Sequence, residues 1–169
     1  MPKIIVNRKK IAIVITSPVT AKVFLLHQIT ELSKIYDLTL VANFEKDFSI
    51  KGRPDWLSKS VHIENIPIER YIKVFADIKA ILMLYFFLKN NNFSLIHSIT
   101  PKAGLIAMIS SWAARVPIRI HTYTGQAWAT KRGITRFFLK NLDKITSIFS
   151  TSILVDSFSQ RDFLLKNMI

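Results

Sequence analysis

The sequence predicts an α/β domain built on a doubly wound parallel sheet of about six strands. Three observations carry this reading. Short runs rich in β-branched residues alternate with segments of helical period from Lys10 to the end of the 169 residues. Half of the residues are hydrophobic and mean hydropathy is +0.27, which suits a sheet covered on both faces better than a sandwich with one wet face. No internal repeat, low-complexity tract or linker interrupts the alternation, so residues 1–169 read as one domain with its own core.

The elements follow in order. Residues 1–9 form a basic leader, expected to be loosely ordered. "KIAIVIT" (Lys10–Thr16) is a strand of the doubly covered kind. In Ala21–Tyr36 the apolar residues Phe24, Leu25, Ile29, Leu32 and Ile35 repeat at helical spacing. "DLTLVAN" (Asp37–Asn43) is the second strand, and "FEKDFSIKGRPDWLSKS" reads as a loop with a short turn of helix. "VHIENIPI" (Val61–Ile68) is strand-like as far as Pro67, and Glu69–Asn91 is a long helix. Within that helix the longest uncharged run, Ala80–Leu88, falls well short of the roughly 20 residues that span a bilayer. It reads as a buried helix, the alternative being one laid in a membrane surface.

Phe93–Ser98 is the fourth strand; Thr100 caps the next helix, with Pro101 at its first position, where a missing amide hydrogen costs nothing. That helix should stop near Pro117. Ile118–Tyr123 is the fifth strand, "RGITRFFLKNLDKITSIFS" a helix and Thr151–Ser157 the sixth strand. Ser159 and Asp162 then suggest a capping box for a last helix, Gln160–Asn167.

Formal net charge is +13, from 24 Lys and Arg against 11 Asp and Glu. The excess lies in many short clusters and points to anionic partners. With no cysteine, disulfides and thiolate metal sites are excluded. "MPKIIVNRKK" is basic, but the apolar run after it ends at Ser17-Pro18, too short for a secretory signal. With four glycines, neither GxGxxG nor GxxxxGK[ST] occurs, which argues against a dinucleotide dehydrogenase or P-loop NTPase. His27, His62, His97 and His121 have no metal-ligand spacing.

In an open parallel sheet, ligands bind beyond the carboxyl ends of the strands. Four hydroxyl-rich segments fall there: "SPVTA" (Ser17–Ala21), "SITPKAG" (Ser98–Gly104), "TYTGQAW" (Thr122–Trp128) and "DSFSQ" (Asp156–Gln160). Thr100, Lys102 and the amides near Ala103 could hold a phosphate at a helix start. Equally, Thr100 is only a cap and Lys102 only a solvated charge. His97 ends its strand and has the best claim to face the cleft, whereas His121 should point into sheet packing. In the helix after Gly133, Arg132, Arg136, Lys140 and Lys144 repeat every four residues, a row that is either a solvated exterior or suited to acidic headgroups or phosphate. Ile134, Phe137, Phe138, Leu142, Ile145 and Ile148 line another face. Basic residues are not interleaved with aromatics on one platform, so nucleic acid is not an expected partner.

"HSITPKAGLIAMISSWAARVPIRIHTYTGQAWATKRG" and "ILVDSFSQRDFLL" resemble the amino-terminal domain of GT-B glycosyltransferases of family 4, of the type that builds O-antigen, capsule or exopolysaccharide. The likeness is strongest from Leu95 to Leu165. It implies a Rossmann-like fold forming one half of a GT-B enzyme. It also implies a retaining transfer without a metal and a lipid-linked glycan acceptor. The location implied is the cytoplasm, at the acidic inner face of the cytoplasmic membrane. The nucleotide sugar is then donor substrate, bound by the carboxy-terminal domain, and no cofactor is expected. Matching turn by turn, Ser17 and Thr20 sit in the acceptor-side loop, His97, Thr100 and Lys102 line the cleft, and Thr124, Gly125 and Gln126 lie near the reacting sugar.

Two positions depart from the family pattern: the histidine many relatives carry before the glycine is Thr124, and a second family histidine is Ile99. No catalytic residue is therefore assigned. The carboxy-terminal domain is not in the 169 residues, so the expectation is an acceptor-binding half, inactive alone, from a truncated or split enzyme with a separate donor-domain subunit. Truncation should expose Phe163, Leu164 and Ile169. The alternative function is a non-enzymatic basic membrane-surface or interaction module of the same fold.

Overall fold

The computed structural model describes residues 8–47 and 53–169. Strands β1 (Lys10–Val14), β2 (Asp37–Ala42), β3 (His62–Asn65), β4 (Leu95–Ile99), β5 (Ile118–Tyr123) and β6 (Ser152–Val155) form one sheet in the order β3-β2-β1-β4-β5-β6. Every pairing is parallel. The α/β, Rossmann-like expectation is therefore met. The direction of winding reverses between β1 and β4, which makes a crevice at their carboxyl ends.

Strand alternation divides the core. Ala12, Val14, Val41 and Ile96 point to one side, Ile11, Ile13, Leu38, Leu40 and Ile99 to the other. On the second side lie α1 (Pro18–Thr20), a π-helical turn (Ala21–Leu25), α2 (Leu26–Ile35) and α3 (Phe44–Asp47). Helices α4 (Val74–Asn91), α5 (Pro101–Ala113) and α6 (Gly133–Phe149) form the first side, as right-handed crossovers in the opposite direction require. Ala80, Leu84 and Leu88 of α4 reach the same buried cluster as Ala103, Ile106 and Ala107 of α5. Helix α7 (Phe158–Lys166) closes beside β6.

Several boundaries differ from expectation. Pro18 starts a helix at once, because the Ser17 hydroxyl accepts the amide of Val19 and "SPVTA" therefore does not remain a loop. Helix α4 begins at Val74 rather than Glu69: Ile66 and Ile68 are buried in passing, and the Asp77 carboxylate accepts the Lys73 amide at the new start. Ser157, extended at φ −157°, caps α7 through the Gln160 amide, displacing the expected start at Gln160. Leu164 is 3% exposed and Phe163 stacks on Trp128 at 5.2 Å, so the last helix does not offer these residues to water as expected. Of the basic leader, residues 1–7 lie outside the described residues; Arg8 donates to the Ser33 carbonyl.

Helix α5 sits close to the sheet because Gly104 meets the ring of His121 on β5. A Cβ at Gly104 would lie 2.3 Å from His121 Cε1. The ring has little room to yield, since Ser98 holds its Nδ1 at 2.9 Å and Tyr123 packs edge-on at 4.4 Å. Gly104→Ala should therefore cost about 2–3 kcal/mol through overpacking, read as a lower urea midpoint at unchanged slope.

Candidate functional site

The site is built at the reversal of the sheet. The hydroxyls of Thr16, just past β1, and Thr100, just past β4, pair across the crevice at 2.6 Å. Thr100 precedes α5 but does not cap it as expected. Its side chain turns to Thr16, and its backbone takes φ 79°, a conformation rare for a residue with a Cβ. One step along the sheet, His97 Nε2 lies 2.8 Å from Thr122 Oγ1. The two residues share a face because His97 registers with Ile120, and Thr122 is two residues on. Burial disfavours the charged imidazole and holds the His97 pKa below its ordinary value.

Thr124 is exposed and Gly125 stands at φ 138°, so the chain leaves β5 by a turn that favours glycine. Gln126 starts a turn whose carbonyl accepts the Ala129 amide, and its side-chain amide nitrogen is buried without a partner. Ser17 caps α1 directly after Thr16, and Thr20 is the last residue of that short helix. The structure thus brings Ser17, Thr20, His97, Thr100, Thr124, Gly125 and Gln126 to one end of the sheet.

Lys102 is placed differently. Its ammonium pairs with Asp77 of α4 at 2.6 Å, bonds the Tyr71 carbonyl, and is only 11% exposed. It ties the start of α4 to the start of α5. Sequence reasoning missed the partners Thr16, Thr122, Asp77 and Tyr71. Thr16 and Thr122 had a signal, being hydroxyls at strand ends; the Lys102 pairing had none, because it joins residues 25 positions apart on separate helices.

The basic row on α6 is partly drawn into the fold. Arg136 and Lys140 stand over the Trp128 ring at 5.1 and 5.6 Å. Arg136 also donates to the Ala129 carbonyl and Lys140 to Asn167. Arg132 is exposed and Lys144 half-buried. Beneath them Asp143 is buried and accepts the Trp128 indole N–H at 2.7 Å. Burial raises its pKa to about 6, against the opposing effect of that hydrogen bond. His121 lies on the α5 side of the sheet, away from the crevice, and burial lowers its pKa to about 4. Among the described residues, no cluster of three or more His, Cys, Asp or Glu could hold a metal, and no helix is long and apolar enough to cross a membrane.

No protein-family profile matches the chain. Over 93 residues it is 39% identical to the Staphylococcus aureus capsular polysaccharide biosynthesis glycosyltransferase CapM, covering 54% of this chain and 24% of the relative. Over 116 residues it is 27% identical to the Escherichia coli UDP-Gal:α-D-GlcNAc-diphosphoundecaprenol α-1,3-galactosyltransferase, covering 68% of this chain and 30% of that one. Among solved structures, the Rickettsia bellii UDP-N-acetylglucosamine 2-epimerase superposes with a TM-score of 0.67 at 13% identity, over 96% of this chain and 43% of the epimerase. The lipopolysaccharide outer core galactosyltransferase WaaB superposes with a TM-score of 0.61 at 13% identity, over 95% and 43%.

Asp143 and His121 give the protein two opposed pH dependences. The folded pKa of Asp143, about 6, lies above its ordinary 3.8, so its contribution is complete below pH 3.8 and is lost as pH rises through about 6. The folded pKa of His121, about 4, lies below its ordinary 6.5, so its contribution is present above pH 6.5 and is lost as pH falls toward 4. Asp143→Asn keeps an acceptor for Trp128 and removes the first slope. Urea unfolding of the variant should show about 2 kcal/mol more stability at neutral pH and a steeper loss between pH 6.5 and 4.

The chain therefore carries a Rossmann-like domain of the GT-B kind, is similar in sequence to a capsular polysaccharide glycosyltransferase and to a diphosphoundecaprenol-linked galactosyltransferase, and spans about a quarter to a third of the curated relatives' length.

Proposed function

We propose that this chain is the acceptor-binding half of a retaining glycosyltransferase of family 4, which adds a sugar from a nucleotide sugar to a lipid-linked glycan in surface-polysaccharide synthesis. The observation that carries this reading is the hydroxyl-lined crevice at the reversal of the sheet, where Thr16 pairs with Thr100 beside His97 and Thr122. A neutral imidazole and paired hydroxyls recognise sugar hydroxyls and phosphate oxygens without burying an unpaired charge. In this reading Ser17, Thr20, His97, Thr100, Thr124, Gly125 and Gln126 line the acceptor side. Lys102 keeps the α4 and α5 starts together instead of contacting the acceptor.

The donor and the developing charge belong to a second domain, supplied in the full enzyme or by a separate subunit. The 169 residues alone bind acceptor and do not transfer sugar, because transfer needs both reactants held in one geometry. The E. coli relative, a galactosyltransferase named for GlcNAc on diphosphoundecaprenol, guides the choice of probe. The site of action is the anionic inner face of the cytoplasmic membrane.

Titration with N-acetylglucosamine diphosphate on a short alkyl chain tests the reading. Saturable binding is expected, weakened about tenfold by Thr100→Val, which keeps shape and removes the hydroxyl. Transfer is expected only after addition of a relative's donor domain. Absence of saturable binding refutes the assignment.

A further inference from the structure

The helices on the first side of the sheet have an unusual outer surface. Phe75, Ile78, Leu82 and Phe86 of α4 form a stripe at spacings of three and four, opposite the buried Ala80, Leu84 and Leu88. All four are about half exposed or more, and Phe75 is 89% exposed. On α6, Ile134 and Ile148 are 87% and 74% exposed, with Phe137 and Phe138 between them. The predicted apolar face of α6 thus looks outward, while Asp143 and Thr146 face the sheet. Trp112 of α5, 53% exposed, stands between the two helices and contacts Phe149 at 4.7 Å.

Charge on this surface has one sign. Helices α4, α5 and α6 contain two carboxylates, and both are turned inward: Asp77 into its pair with Lys102, and Asp143 under Trp128. Lys79 and Lys89 are exposed alongside the α4 stripe, and Lys144 flanks that of α6. Exposed apolar side chains in this number on neighbouring helices mark a docking site. Apolar stripes bordered only by cations match the interface of an anionic bilayer, where ring and aliphatic groups enter the acyl boundary and ammonium groups meet the headgroups. Phosphate backbones of nucleic acid would leave the stripes unsatisfied.

We propose that the outer face of the α4–α5–α6 layer docks this chain on an anionic lipid bilayer. The surface itself carries the docking; what the docking accomplishes rests on the acceptor-binding reading above. Lys102 fixes the first turns of α4 beside the turn that holds Thr100, so the docked face borders the crevice. A lipid-linked acceptor can then keep its lipid in the bilayer while its glycan enters the crevice from the α4 side. This moves membrane contact from Arg136 and Lys140, which stand over Trp128, to the stripes of α4 and α6, with Lys144 at the border of the second.

Co-sedimentation with vesicles of phosphatidylcholine containing about a third phosphatidylglycerol tests this. The wild-type chain should sediment with them, with its Trp112 emission shifted to the blue, and Trp112→Phe should lose the shift. The triple variant Phe75→Ser/Leu82→Ser/Phe86→Ser should lose at least tenfold in partitioning while keeping its thermal midpoint. Lys79→Gln/Lys89→Gln should weaken binding and reduce its salt dependence. Phe24→Ser, at an equally exposed ring (78%) on the opposite side of the sheet, should bind as wild type. The proposal is overturned if the wild-type chain ignores the vesicles, if the triple variant binds unchanged, or if Phe24→Ser loses as much. Vesicle-free dimers that the triple variant dissociates would also overturn it, making the stripe a contact between copies. Acceptor titration in vesicle-free solution reads the crevice separately, so either reading can fail without the other.

Discussion

The approach of Gly104 to the ring of His121 sets the depth of helix α5 on the sheet, and much of the molecule hangs on α5. At its amino end it places Thr100 and Lys102. Along one flank it packs α4, with Ser110 donating to the Ile81 carbonyl at 2.9 Å. At its carboxyl end Trp112 meets Phe149 of α6. A side chain at position 104 would lift the helix, and the crevice at the reversal of the sheet would open with it. His121 is held for this task as a neutral ring: burial removes its charge, and Ser98 fixes its orientation. A histidine one residue from the cleft thus serves packing, while the neighbouring strand offers its own histidine to the crevice.

The sheet separates these two roles by parity. His97 and Thr122 point to the side of α2, Ser98 and His121 to the side of α5. Polar groups on the α2 side face the crevice; those on the α5 side are satisfied within the core, apart from the Nε2 of His121. The same division appears in the carboxylates of the helical layer. Asp77 and Asp143 are both committed to internal partners, which leaves the outer surface with cations and apolar stripes. Inward pairing of the few acids and outward placement of aromatic rings are two aspects of one arrangement. A structure that used its aromatics for a thicker core would have left those acids in water.

The strands were legible as short runs rich in β-branched and other apolar residues between helical segments, "KIAIVIT" being nearly continuous as a doubly covered strand requires and "DLTLVAN" and "IRIHTY" less so. The place of the reversal was not legible: crossover handedness makes the sheet parallel, but which strand lies beside β1 is decided by packing. Helix starts were less legible. Ser157 and Ser159 are alike in sequence, and only the extended backbone of Ser157 decides which one caps α7. Thr100 looked like a cap because Pro101 follows it, but a hydroxyl 84 positions away, on Thr16, competes for its side chain at 2.6 Å. The outward face of α6 ran against hydrophobic periodicity. Periodicity finds two faces of a helix but does not say which one the sheet takes, and here Trp128 and Asp143 take the polar one.

The sequence by itself determined the class of fold, the order of its elements and the end of the sheet at which polar groups gather, because these depend on local propensity, period and handedness. Tertiary structure decided which groups are free to act. Lys102 became a tie between helices, Arg136 and Lys140 became supports for an indole, and the rings of α4 and α6 were left facing outward. Each of those outcomes turns on which distant residue reaches a side chain first, and that is a property of packing that no local pattern encodes.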